Sequence, residues 1–329
     1  MTKIDIFSGF LGAGKTTLIK KLLREAYAGE KLVLIENEFG EIGIDGGFMQ
    51  DAGIEVTEMN SGCICCSLVG DFAKALAKVL DEYHPDRILI EPSGVGKLSD
   101  IIRAVQGIEA ENVLLNGFTT VADVKKCKMY MKNFGEFFND QIENAGCIVL
   151  SHTQSATAEK IAETVALLRE HNATATIVTT PWEELDGAQL LAAMERRDTI
   201  EEELARLEKA AHHHHHDDDE ECECHEHHHH HHHHHHHADE VFTSWGRETV
   251  KKYSLEDMEK ILADLADGEK YGFVLRAKGI VRCEDDKCIH FDYVPEEVNV
   301  RYGSAGVIGK LCVIGSKINE KAIETLFGV

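Results

Sequence analysis

The chain has 329 residues, enough for two domains that each bury a core. Its 34 basic against 58 acidic side chains give a formal charge of −24, which argues against nucleic acid or an anionic membrane as the main partner and favours cations, metal ions included. No leader-like segment and no apolar run of bilayer length is evident, so a cytoplasmic protein is expected, with its ten cysteines serving metal binding or packing and not a disulfide framework.

The apolar run Ile4 to Phe7 reads as a strand, and Thr16 to Leu23 places Leu18, Ile19, Leu22 and Leu23 on one helix face. Between them, Gly9-Phe10-Leu11-Gly12-Ala13-Gly14-Lys15-Thr16 has the spacing G-x-x-x-x-G-K-T. Strand, glycine-rich loop and helix in that order is a P-loop: backbone N–H groups and the helix N-terminus surround phosphate oxygens. Gly9, Gly12, Ala13, Gly14 and Thr17 line this cradle, Lys15 reaches the β- and γ-phosphates, and the Thr16 hydroxyl serves Mg²⁺.

Further strands are predicted at Lys31–Ile35, Ile54–Val56, Arg87–Ile90, Val113–Leu115, Cys147–Leu150 and Thr176–Val178, with helices between them such as Asp71–Leu80. Such alternation predicts an α/β fold with a mostly parallel sheet flanked by helices. Between the first and second of these strands stands Asn37 to Glu41, and between the second and the helix at Asp71 stands Ser61-Gly62-Cys63-Ile64-Cys65-Cys66-Ser67. The three thiolates Cys63, Cys65 and Cys66 suit Zn²⁺, with Co²⁺ or Ni²⁺ as alternatives. Three ligands leave a tetrahedral position open for a metal that must be passed on. Cys127, Cys147 and Cys312 sit in helix or strand contexts and are expected in the core, whereas Cys283, Cys288 and His290 are expected to face apart or pack inward.

Pro181-Trp182 ends the last strand, and Ala188 to Ala211 is helical by pattern. Composition then breaks: His212 to His216, His225 and His227 to His237 hold most of the chain's 21 histidines, interleaved with acidic residues. This segment lacks core-forming residues and is expected to be a disordered linker that scavenges metal, with Cys222, Cys224 and His225 as a further candidate site. Beyond it, a helix over Leu255–Leu265, a hairpin of Tyr271–Arg282 with Ile289–Val294, a strand at Leu311–Ile314 and a helix over Asn319–Leu326 predict a small α+β domain. The expected division is 1–195 for the P-loop domain, 196–240 for the charged helix and linker, and 241–329 for the C-terminal domain.

Gly9 to Thr17, Asn37-Glu38-Phe39-Gly40-Glu41, Cys63-Ile64-Cys65-Cys66 and Glu91-Pro92-Ser93-Gly94, in that order, resemble the CobW-like metallochaperones, a branch of the P-loop GTPases. The resemblance covers nearly the whole chain. It implies that Glu91 stands near Mg²⁺, the Gly94 N–H near the γ-phosphate, and Asn37 to Glu41 in a nucleotide-sensitive switch. It also implies GTP binding and hydrolysis that control transfer of a metal to a client metalloprotein or cofactor-assembly protein. Within the chain itself, Glu38 or Glu41 is expected to position the attacking water, and with no dedicated catalytic glutamine in the sequence hydrolysis is expected to be slow. A homodimer is left open.

One departure bears on the base. Where such GTPases carry N-K-x-D, this chain reads Ser151-His152-Thr153-Gln154. His152 can lie along the base, but Gln154 offers one neutral acceptor oxygen in place of a carboxylate. GTP is expected, with ATP as the alternative. A competing reading makes the chain a His-rich metal store with incidental turnover.

Overall fold

The computed structural model describes residues 1–36, 55–58, 69–108, 112–195, 241–283, 287–303 and 309–329. The segments Asn37 to Glu41 and Cys63 to Cys66, the linker with Cys222, Cys224 and His225, and the tip of the predicted C-terminal hairpin lie outside the described residues.

Seven strands form the first sheet: β1 (Thr2–Gly9), β2 (Leu32–Glu36), β3 (Glu55–Glu58), β4 (Arg87–Glu91), β5 (Val113–Asp123), β6 (Cys147–Ser151) and β7 (Thr176–Val178). Their spatial order is β3-β2-β4-β1-β5-β6-β7, and every pair is parallel. Six helices accompany them among the described residues: α1 (Lys15–Glu25), α2 (Val69–Tyr83), α3 (Leu98–Gln106), α4 (Cys127–Glu143), α5 (Ala158–His171) and α6 (Gly187–Met194). Alternation along the strands sorts the core. Ile4, Ile6, Ile88, Ile90, Ile148 and Leu150 meet α2 to α5 on one face, while Phe7, Leu34, Leu89, Val121 and Val149 meet α1 and α6 on the other. Both faces are covered, as a parallel sheet requires. The α1 stripe of Leu18, Ile19 and Leu22 is fully buried, worth about 2 kcal/mol per side chain.

One element of this part differs from the sequence expectation. The strand at Val113 continues to Asp123, because the polar residues that break its apolar run are satisfied inside: Asn116 Nδ2 donates to Asp5 and Thr120 Oγ1 to the Gln141 carbonyl at 2.6 Å. Of the helix expected over Ala188–Ala211, the described part is Gly187–Met194, opened by a capping box between Asp186 and Gln189; residues 196–211 lie outside the described residues.

The remaining strands are β8 (Thr243–Glu248), β9 (Lys252–Tyr253), β10 (Phe273–Cys283), β11 (Cys288–Val294), β12 (Glu297–Gly303) and β13 (Lys310–Ser316). They form a second sheet ordered β12-β11-β10-β13-β8, antiparallel throughout, with β9 joined parallel to β10. One face packs Trp245, Val281, Ile289, Phe291, Leu311 and Val313 with α7 (Leu255–Asp264) and α9 (Glu320–Phe327); the short α8 (Gly268–Tyr271) precedes β10. The other face turns to the first sheet's layers. Phe242, Leu275, Cys312 and Ile314 belong to the same buried cluster as Phe10, Tyr130, Phe134 and Phe138. Phe242 stands 5.1 Å from Phe137 and 5.3 Å from Phe134, ring centre to ring centre, where α4 departs from helical geometry at Phe134.

The cysteines expected in the core, Cys127, Cys147 and Cys312, are buried, and none of the three is in a disulfide among the described residues. Burial pushes the Cys127 and Cys147 thiols up to about 12. Cys283 packs in the core against α7 and α9, whereas Cys288, opposite Arg282 in the ladder, points to the other face, so the two do not converge.

Candidate functional site

β1 is the centre of the seven-stranded sheet, and the strand order reverses beside it: the chain steps to β2 and β3 on one side and later to β5, β6 and β7 on the other. In open parallel sheets the crevice at the carboxyl ends of the strands next to such a reversal is where ligands sit. The loop from Gly9 to Gly14 occupies that crevice, and β4, paired in parallel with β1 through Ile6 and Ile90, delivers Glu91 to the same edge. Proximity of the two motifs thus follows from strand register.

Helix α1 starts directly after Gly14, whose φ of +101° is left-handed and which offers no side-chain cap. α3 and α4 likewise have no side-chain cap, whereas α5, α6, α7 and α9 are capped by Thr157, Asp186, Ser254 and Asn319; of the uncapped helices, α1 is the one that follows the glycine-rich loop. An N-terminus with no side-chain cap leaves its first N–H groups for an anion. Lys15 is buried, and its Nζ donates back to the carbonyls of Gly9 at 2.9 Å and Phe10 at 3.4 Å. Thr16 Oγ1 donates to both carboxylate oxygens of Glu91, at 3.0 and 3.2 Å. A hydroxyl and a carboxylate so close form a hard-oxygen pair of the kind that suits Mg²⁺. Gly94 lies immediately under the loop: a Cβ there would come within 2.9 Å of the Leu11 backbone nitrogen. The buried Gln141 side chain fixes this turn, donating to the carbonyls of Gly94 at 3.1 Å and Gly96 at 2.8 Å.

Gly12, Gly14, Lys15, Thr16, Thr17, Glu91 and His152 line one cavity of about 260 Å³. Gly9 and Ala13 are buried in the body of the loop. Ser151 ends β6 opposite Asp123 and is buried; His152 follows with a left-handed φ of +59°, its Nε2 3.9 Å from an Asp123 carboxylate oxygen; Gln154 is exposed on the next turn.

Three contributors were not legible as site residues. Trp182, read from the sequence as a strand terminator, anchors its Nε1 on the Leu150 carbonyl at 2.9 Å and sets its ring edge over Gly14. Gln141 resembles any helix glutamine in sequence. The far wall of the cavity comes from the second sheet, through Arg276, Asp292, Val294, Glu297, Asn299 and Arg301. Val294 approaches so closely that a Cβ on Gly12, itself at φ +70°, would overlap the valine side chain.

A glycine-rich loop between the central strand of a parallel sheet and a helix without an N-terminal side-chain cap, with a Thr–Glu pair at its mouth, defines a P-loop nucleotide-binding fold. The chain belongs to the CobW/HypB/UreG family, whose nucleotide-binding domain matches residues 3–179. Among similar proteins is a zinc chaperone CobW of Sinorhizobium sp, 40% identical over 126 residues, which are 36% of this chain and 35% of that one. Another is a zinc-regulated GTPase metalloprotein activator 1 of Schizosaccharomyces pombe, 30% identical over 193 residues, 56% of this chain and 46% of the other. The chain therefore spans between a third and a half of these relatives' length. The solved Zn(II)-bound YjiA GTPase from E. coli is similar over 99% of this chain and 98% of its own, with a TM-score of 0.45 at 22% identity.

Proposed function

We propose that this chain binds GTP with Mg²⁺ and hydrolyses it slowly to control delivery of a transition metal, Zn²⁺ in the first place, to a client metalloprotein or cofactor-assembly protein. The observation that carries the reading is the single cavity that gathers Lys15, Thr16 and Glu91 at the helix N-terminus. On binding, Lys15 exchanges the Gly9 and Phe10 carbonyls for β- and γ-phosphate oxygens, and the N–H groups from Gly12 to Thr17 close around the β-phosphate. Thr16 and Glu91 hold Mg²⁺, which when bound offsets charge on the phosphate oxygens. Gly94 presents its N–H to the γ-phosphate, and Glu38 orients the attacking water. Ser151, His152 and Gln154 meet the base; Gln154, exposed and neutral, makes the preference for guanine weaker than an aspartate would.

Cys63, Cys65 and Cys66 hold the metal, which is cargo here. The chain runs into that motif from β3, and into Asn37 to Glu41 from the adjacent β2, both from the sheet edge that carries the P-loop. A switch that responds to the γ-phosphate and a thiolate set on the neighbouring connection would then be coupled. The names of the relatives, zinc chaperone and zinc-regulated GTPase metalloprotein activator, support the same direction. The histidine-rich segment, with Cys222, Cys224 and His225, would load this site. No described helix is long and apolar enough to cross a membrane.

The test is steady-state hydrolysis of GTP and ATP with and without stoichiometric Zn²⁺, on the wild type and on Cys63/Cys65/Cys66→Ala. A Zn²⁺-dependent GTP rate in the wild type that vanishes in the variant is expected. A rate indifferent to Zn²⁺ in both would refute the coupling, and several ions bound per chain whatever the nucleotide would favour a store.

A further inference from the structure

Strand register sorts the second sheet's side chains between two faces, since residues directly opposite in a ladder point the same way and neighbours alternate. Asp292 pairs with Lys278 on β10 and Asn299 on β12, Val294 with Glu297, and His290 with Arg301. Arg276, two residues from Lys278, shares this face and donates to Asp292 at 3.0 Å. The alternate residues Ala277, Phe291 and Tyr293 pack against α7 and α9. One face of the sheet is therefore apolar and committed to its own core, while the other is divided: Cys312 and Ile314 join the buried seam with the first sheet, and the part formed by Arg276, Asp292, Glu297, Asn299 and Arg301 is polar and lines the cavity over the P-loop.

From this we infer that the polar part is the second half of the nucleotide site, and that Arg276 and Arg301 bind the γ-phosphate of the triphosphate proposed above. Both arginines line the same cavity as Lys15, Thr16 and Glu91, and Val294 fixes the wall's distance by resting on Gly12. The loop N–H groups take the β-phosphate from one side. The next phosphate projects past Lys15 and the Thr16–Glu91 pair, toward the wall that faces them. A guanidinium suits that position because its fork matches a phosphate edge. Arg276 is held ready by Asp292, and Arg301 is exposed with its Nη1 steadied by Asn299 at 2.9 Å. Set against Asp292 and Glu297, the two arginines leave the wall near neutral. That fits a Mg²⁺-complexed triphosphate better than a bare polyanion. Loss of the γ-phosphate on hydrolysis removes the group these side chains hold, so the second sheet reads the state of the nucleotide directly.

The inference rests on the P-loop reading, and the experiment separates the two. Fluorescent GDP and a fluorescent non-hydrolysable GTP analogue are titrated with Mg²⁺ into the full chain as wild type, Arg301→Ala, Arg276→Lys and Lys15→Ala. Arg301→Ala is expected to weaken the triphosphate by about 10-fold or more and the diphosphate by less than about 3-fold, the loss of one charge-assisted contact. Arg276→Lys, which keeps a cation beside Asp292, should shift the ratio in the same direction, and Lys15→Ala should weaken both nucleotides. Unchanged affinities in both arginine variants, with Lys15→Ala defective, would overturn the inference and leave the P-loop reading standing. Equal losses for both nucleotides would overturn the γ-phosphate assignment. Wild-type binding by Lys15→Ala would bring down the P-loop reading and this inference with it.

Discussion

Replacing Gly12 with alanine tests the contact between the phosphate loop and the second sheet. Two costs are separable. Alanine at φ +70° pays about 1–2 kcal/mol for left-handed backbone. Its Cβ also overlaps Val294, and overpacking of this kind typically costs about 1–3 kcal/mol. Gly12→Ala should therefore destabilise by about 2–5 kcal/mol. Val294→Ala relieves only the second cost, because the nearest remaining atom, the Val294 Cβ, lies at 3.2 Å, a distance that small shifts accommodate. Urea unfolding of Gly12→Ala, Val294→Ala and the double variant gives the cycle. A favourable coupling of about 1–3 kcal/mol is expected in the double variant, with the backbone cost remaining. Additivity within about 0.5 kcal/mol would refute the claim that β11 bears on the loop.

Glu91→Gln keeps an acceptor for Thr16 but removes the charge; the Mg²⁺ concentration for half-maximal nucleotide binding should rise by about 10-fold or more, read by titration. Nucleotide binding should change the emission of Trp182, whose ring edges the loop at Gly14, and Trp182→Phe should abolish the change, since the other tryptophan, Trp245, is buried in the second sheet's core. Cys127 and Cys147, pushed up to about 12 by burial, stay protonated well above pH 8, where about one in 10⁴ is thiolate; mass spectrometry after native iodoacetamide treatment at pH 8 should find both unmodified, and modified on unfolding. Gln141→Leu leaves the Gly94 and Gly96 carbonyls without their donor and should cost about 2–4 kcal/mol in thermal unfolding.

The first sheet was legible because its strands are short apolar runs and the loop spacing is almost its own proof. Lys15, Thr16 and Glu91, expected at one site from their motifs, line one cavity because β1 pairs in parallel with β4. β12 was missed: Glu297 to Gly303 is largely exposed and lacks the apolar alternation that marks a strand. With it went the far wall, since Arg276 and Arg301 look like ordinary surface cations until ladder register places them on one face. Val113–Leu115 was cut short for a related reason. Asn116, Thr119 and Thr120 read as a break, and only the three-dimensional structure supplies Asp5 and the Gln141 carbonyl as partners for Asn116 and Thr120.

Phe10 lies within the phosphate loop, yet its ring packs 4.4 Å from Tyr130 and 6.1 Å from Phe242, a residue that enters from the other side of the histidine-rich segment. Melting the second sheet withdraws Phe242 and opens the core beneath the loop, and distorting the loop strips a ring from the seam. The two sheets are thus thermodynamically welded. They should denature in a single cooperative step, and amides of α1 and β10 should exchange with solvent at the same opening free energy. Cutting the chain ahead of residue 241 would yield not a smaller nucleotide-binding module but one with its loop unsupported and Phe10, Phe134 and Phe137 newly exposed to water.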